Sequence, residues 1–187
     1  MAFGAFDKKI SWGDAAKVWV VSYIGNFVGC LILSLIFVWA GASGTGDYFA
    51  GFIGNKLAIP AGQMFFRAVL CNFFVCLGVL CGIKLKSEAA KFLMIVMCIS
   101  GFVVSGFEHC VANMYYIPAG LLAKHGEAYY NAAIMAGMTP DQLDSMTVGK
   151  FFLNNLLPVT LGNIVGGVVF VALPLYLIYR NKNKAEA

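Results

Sequence analysis

Residues Phe92 to Ala123 form an apolar run that is too long for one simple membrane crossing and too interrupted for one straight helix. A crossing needs about 20 mostly apolar residues. Gly101, Gly106 and Pro118 interrupt this run, and two Ser-Gly pairs, Ser100-Gly101 and Ser105-Gly106, precede the adjacent ionisable residues Glu108 and His109. An ionisable group at membrane depth costs about 2.5–3.5 kcal/mol on insertion scales, so such groups are rare and mark function. The pattern predicts two half-helices joined at Ser105-Gly106. A broken helix releases backbone donors at its ends, and those donors are suited to meeting an anion. The second half-helix is expected to aim its first N–H groups at a pore.

Composition supports a membrane setting. Of 187 residues, 60% are hydrophobic and 12% charged, against about 25% charged in soluble domains. The net charge of +4 is small and scattered, which argues against a nucleic-acid partner. The opening Met1–Lys9 has no apolar core before its charges and is not expected to be a cleavable signal. Cys30, Cys71, Cys76, Cys81, Cys98 and Cys110 all lie in apolar segments without a Cys-x-x-Cys pair. They read as small packing residues, and no disulfide framework or metal site is indicated.

Four membrane regions are expected: about 15–39, 59–83, 92–123 broken near 105–106, and 149–179. Ser11 is placed to cap the first, with Asp14 in its first turn, and Thr147 is placed to cap the last. Pro60 suits the first turn of the second. Loops are expected over 41–54, 84–91 and 124–147. Lys8 and Lys9, then Lys84, Lys86 and Lys91, then Arg180, Lys182 and Lys184 fall on one side after four crossings. The other two loops are poor in net positive charge, so the positive-inside rule puts both termini in the cytoplasm.

An internal repeat points further. Gly25-Asn26-Phe-Val-Gly29 in the first region and Gly162-Asn163-Ile-Val-Gly166 in the fourth share one five-residue pattern at mid-span. Each holds a small-xxx-small pair that permits close helix contact. Membrane transporters are often inverted repeats. Regions two, three and four make one repeat of straight, broken and straight spans. Region one is then the last element of a preceding repeat, whose straight and broken spans are expected to lie before Met1.

Gly106-Phe-Glu-His-Cys-Val-Ala-Asn-Met114 and Asn155-Leu-Leu-Pro-Val-Thr-Leu-Gly-Asn-Ile-Val-Gly-Gly167 closely resemble signatures of the formate/nitrite transporter family. Cys71-Asn72 with Val75-Cys76-Leu77 resembles its fourth helix, and Lys56 matches the position before that helix. The resemblance covers essentially the whole chain, as helices three to six. It implies an all-α, aquaporin-like inverted-repeat membrane bundle and a homopentamer with one pore per protomer in the cell inner (plasma) membrane. It also implies passage of formate, nitrite, hydrosulfide, lactate or a similar small monovalent anion. The family's first helix and broken second helix are not represented, so an inactive truncated fragment is an alternative.

His109 is the central candidate. An imidazole with reference pKa about 6.5 exchanges a proton near neutrality, so it either protonates a passing anion or pairs with it as a cation. Glu108 points about 100° away on a helix and is assigned to bracing or polarising a neighbour rather than to the substrate. Asn72 is assigned a pore or bracing role. For Asn163 and Asn26 a functional role and plain interhelical hydrogen bonding stand equal. Asn113 lies one turn after His109 and is placed to orient its ring. By resemblance Phe102 and Val75 form apolar constrictions that discriminate by dewetting, and Lys56 concentrates anions at the outer mouth. His125 reads as a loop residue without a role.

The chain is expected to be a transporter rather than an enzyme and to need no cofactor. A neutral-solute channel of aquaporin type would carry paired Asn-Pro-Ala motifs, which the sequence lacks. A haem subunit usually offers two intramembrane histidines, and only His109 lies in an expected span.

Overall fold

The computed structural model describes residues 1–42 and 47–185, with side chains described outside 47–52 and 183–185. The chain is helical nearly throughout these residues. A short α1, Ala2–Phe6, leads to α2, Trp12–Trp39, then α3, Asp47–Ala58, and α4, Ala61–Lys84. Next come α5, Glu88–Val104, and α6, Cys110–Ala123, with a non-helical link between them. Two short helices follow, α7, Glu127–Met135, and α8, Pro140–Ser145. The final helical run is α9, Val148–Lys182. Three of these, α2, α4 and α9, are long and apolar enough to cross a membrane alone, while α5 and α6 share the third, broken region.

Helix ends follow local chemistry. Ser11 Oγ accepts the Asp14 N–H at 3.0 Å, Ser87 Oγ accepts that of Ala90, and Thr147 Oγ1 accepts that of Lys150 at 3.2 Å. Each satisfies an N–H that has no partner inside its own helix. Thr139 and Gln142 form a reciprocal capping box on α8.

Two expectations about loops are corrected. The stretch 41–54 is not all loop, because helix begins at Asp47; residues 43–46 of that stretch lie outside the described residues, as does the Lys184 side chain. The stretch 124–147 holds α7 and α8. Neither segment has a long apolar stripe, so their helicity comes from tertiary packing rather than from a pattern visible along the chain. In α9, the turns over Phe151–Leu156 and Val168–Ala172 are π-type, two residues before Pro158 and Pro174. A proline lacks an N–H and crowds the carbonyl four residues back, here Asn154 and Phe170, and a widened turn relieves that clash.

The chain divides into two compact units whose boundaries cut α2, α4 and α9. The first comprises Met1–Val21, Phe65–His109 and the chain from Val159 onward. Here α4 runs along α5 through small residues: a Cβ on Gly82 would lie 3.2 Å from Ile95 Cδ1, and one on Gly78 would lie 3.3 Å from Cys98 Cβ. The crossing of α4 with α9 is tighter. A Cβ on Gly162 would lie 2.3 Å from the Phe65 carbonyl oxygen, and one on Gly166 would lie 2.3 Å from that of Val69. Only glycine admits a backbone this close. Phe3 and Phe6 of α1 pack on Tyr176 and Tyr179 of α9.

The second unit comprises Ser22–Met64 and Cys110–Pro158. Its core gathers Ile53, Leu57, Met114, Ile117, Tyr129, Leu143, Met146, Phe151 and Leu156. The ammonium of Lys124 donates to the Met146 carbonyl at 2.7 Å and to that of Leu143, closing the end of α8. On α2, Tyr23, Phe27, Cys30 and Val38 pack against this core, and Ser34 Oγ donates to the Tyr115 carbonyl at 2.9 Å.

Candidate functional site

The break in the third membrane region is built from backbone geometry. Gly106 has φ +66°, in the left-handed region. Its N–H donates to the Val103 carbonyl at 3.1 Å, and the Phe107 N–H donates to the Phe102 carbonyl at 3.1 Å. This pair of bonds is the Schellman arrangement, which ends a helix by turning two free carbonyls onto the next two N–H groups. Within the membrane no water can perform that task, so the closure lets α5 stop at Val104.

The residues after Gly106 are held by α4 and α9. The Glu108 N–H points at the Arg67 carbonyl of α4 at 3.4 Å, and Asn163 Nδ2 of α9 donates to the Glu108 carbonyl at 3.0 Å. The same Asn163 amide donates to the Ala68 carbonyl at 2.8 Å. Asn72 Nδ2 in turn donates to the Asn163 backbone carbonyl. One side chain on α9 thus ties the broken strand of the chain to α4. The glycine crossing at Gly162 and Gly166 brings the two helices close enough for it to reach.

Glu108 is buried, at 1% exposure, and Asn163 is buried at 6%. His109 is half-buried, and its ring stacks on Phe102 with centroids 6.0 Å apart and planes at 21°. Val75 and Asn72 are half-buried on α4. Phe74 and Phe107 lie ring to ring at 6.0 Å. The first unit therefore brings together His109, Glu108, Phe102, Asn72 and Asn163 with Val75 on the same α4. The arrangement presents a titratable imidazole against an aromatic face, next to a helix end whose backbone is held by neutral amides.

Asn113 and Lys56 belong to the second unit. Asn113 is fully buried and donates to Asn155 Oδ1 at 2.9 Å, while Asn155 Nδ2 lies 3.3 Å from Met64 Sδ. Lys56 sits on the last turn of α3 and is buried. Sequence reasoning passed over Asn155, which lies in the first π turn of α9, and Arg67. Arg67 had a signal, since it is an arginine inside the apolar run 59–83. Its guanidinium Nη1 lies 4.0 Å from where a Cβ on Gly106 would stand.

Long apolar helices with one region broken at a glycine turn, and an imidazole beside the break, place the chain among broken-helix membrane proteins. The chain belongs to the formate/nitrite transporter family, whose model matches residues 1–177. Among curated relatives it is 35% identical to the formate channel FocA of Escherichia coli K12, over 94% of this chain and 63% of the relative. It is 30% identical to the nitrite transporter NirC of the same organism, over all of this chain and 64% of that relative. Among solved structures it superposes with TM-score 0.79 on a pentameric formate channel with formate bound, at 35% identity, covering 91% of this chain and 69% of the other. An ion channel of the same family gives TM-score 0.76 at 31% identity, covering 94% and 64%. The chain thus spans less than two thirds of the length of these curated relatives.

Proposed function

We propose that the chain forms the His109-bearing part of a path for small monovalent anions of weak acids, formate or nitrite first among them, in a homopentamer of the inner membrane with both termini cytoplasmic. The observation that carries this reading is the His109 ring stacked on Phe102 immediately after a helix break whose carbonyl is held by Asn163. An anion entering an apolar constriction is destabilised there. His109 offsets this by giving the anion a proton, so that the neutral acid crosses, or by holding it as a cation. Phe102 and Val75 narrow the path and exclude continuous water. Glu108 and Asn72 brace the site, Asn113 supports the half-helix that follows His109, and Lys56 raises the anion concentration at the outer mouth. The relatives named for formate and for nitrite are of similar identity to this chain, and either anion fits the chemistry.

The test is flux. Protein reconstituted in liposomes is expected to pass formate or nitrite with a pH-dependent rate, and His109→Phe is expected to lower that rate by about tenfold or more. Equal flux and an equal pH profile in the two proteins would reject the role of His109.

A further inference from the structure

The second unit, which does not carry His109, holds a polar cavity of about 210 Å³. It is lined among others by Asn55 and Ala58 of α3, Met138 after α7, Gln142 and Ser145 of α8, and Lys150 of α9. Three helices, α3, α7 and α8, end beside it. Helix C-termini carry partial negative charge and by themselves would favour a cation. Here their carbonyls are already engaged. The N–H groups of Ala136, Gly137 and Met138 donate to the Ala132, Ile134 and Ala133 carbonyls at 2.9, 3.0 and 3.0 Å, with Gly137 at φ +88°. The Lys124 ammonium takes the Leu143 and Met146 carbonyls at the end of α8, and the Ile59 N–H takes the Lys56 carbonyl of α3 at 3.4 Å.

What remains is a set of donors. Gln142 Oε1 accepts the Thr139 N–H at 2.8 Å, so it is the amide N–H groups of Gln142 that are left for the cavity. Lys150 is half-buried, and among the described residues neither its ammonium nor the Asn55 side chain makes a hydrogen bond or ion pair. The two carboxylates of α8, Asp141 and Asp144, are not part of the wall. An ammonium in such a place gains most from an ionised acceptor, because a charge-assisted hydrogen bond is about twice as strong as a neutral one.

We infer that this cavity is a binding site for a small monovalent oxyanion, a short carboxylate or nitrite, with Lys150 as its counter-charge and Gln142 and Asn55 as neutral donors. The choice of anion rests on the path proposed above, whereas the sign of the charge rests on the donors left over here. Water takes about 30 Å³ per molecule in the liquid, so an anion of this size fits with several waters around it. The donors come from α3, α8 and α9, and only the fold gathers them. By the proposed orientation α7 and α8 lie outside the membrane, so the site fills from the outer solution.

The probe is sodium formate added to the detergent-purified chain. In a background without native cysteines, Ala58→Cys puts a thiol in the cavity wall, and formate is expected to slow its reaction with the neutral reagent N-ethylmaleimide. Sodium chloride at equal ionic strength, and formamide as a neutral molecule of the same shape, are expected to give no protection. Lys150→Met is expected to raise the half-protecting formate concentration by about tenfold or more, and Lys150→Arg, which keeps the charge, by no more than about threefold. Melting without formate checks each fold. If Lys150→Met melts low, Asn55→Leu on the exposed end of α3 decides instead, with an expected rise of about threefold. Absence of protection, equal protection by chloride or formamide, or an unchanged half-protecting concentration in the deciding variant would overturn the inference. So would loss of protection in His109→Phe, since formate would then be acting from the other unit. Flux that depends on His109 without protection at Ala58→Cys would reject this site and leave the proposed path standing.

Discussion

At the scale of single residues, two groups set the candidate site, Gly106 and Asn163. Gly106 holds φ +66° so that the N–H groups of Gly106 and Phe107 can return to Val103 and Phe102. An L side chain in that region costs about 1–2 kcal/mol. Gly106→Ala is therefore expected to lower the melting temperature in detergent, although space beside the glycine is ample; melting equal to wild type would mean the turn is not held as described. The Ser-Gly pair made this break legible in the sequence, because glycine is the residue that tolerates the required φ. Asn163 was less legible. Its amide serves two carbonyls, Ala68 and Glu108, that are 40 positions apart in the chain, and no local pattern reports such a bond. Arg67 shows the opposite case. A charge inside an apolar run was visible in the sequence, but only the fold reveals that its backbone carbonyl faces the Glu108 N–H.

At the scale of elements, the crossing of α4 and α9 depends on glycines that the sequence displays twice. Gly162→Ala puts a methyl 2.3 Å from the Phe65 carbonyl oxygen, a rigid backbone atom, whereas Gly25→Ala meets nothing within 4 Å. Overpacking of this kind costs about 1–3 kcal/mol. In thermal melts Gly162→Ala should be clearly destabilised and Gly25→Ala should melt with wild type; equal shifts would remove the distinction between the two copies. The small helices α7 and α8 make a second case. Tyr129 of α7 is buried in the core of its unit, and burial pushes its phenol up from 10.0 to about 12. The folded state then holds its proton more tightly than the unfolded chain does. That contribution is complete below the unfolded value and is lost as pH rises through the folded one. Stability is expected to fall between pH 10 and about 12, and less so in Tyr129→Phe; parallel alkaline melting curves for both would discount the burial. Along the chain this stretch reads as loop because polar and small residues dominate 124–147, and packing partners such as Ile53 and Leu57 lie far away in sequence.

At the scale of the whole molecule, the proposed orientation follows from charge. Lys84, Lys86 and Lys91 cluster in and beside the α4–α5 link, whereas α7 and α8 carry Glu127, Asp141 and Asp144. In a background without native cysteines, Ser87→Cys is expected to react with a membrane-impermeant maleimide only from the cytoplasmic side, and Glu127→Cys only from outside. The reverse pattern would invert the assignment. The membrane class, the all-α fold and the broken third region were determined by the sequence alone, because apolar length and local turn chemistry act along the chain. The family followed from short motifs around Glu108-His109 and Asn163. Only the tertiary structure decided which copy of the repeated glycine pattern is filled, how Asn163 secures the Glu108 carbonyl beside His109, and that α3, α7 and α8 are helical. Those facts rest on distances between segments remote in sequence. The break after Val104 was predictable as an interruption, but its Schellman closure, and the ties to α4 and α9 that hold it, became visible only in the fold.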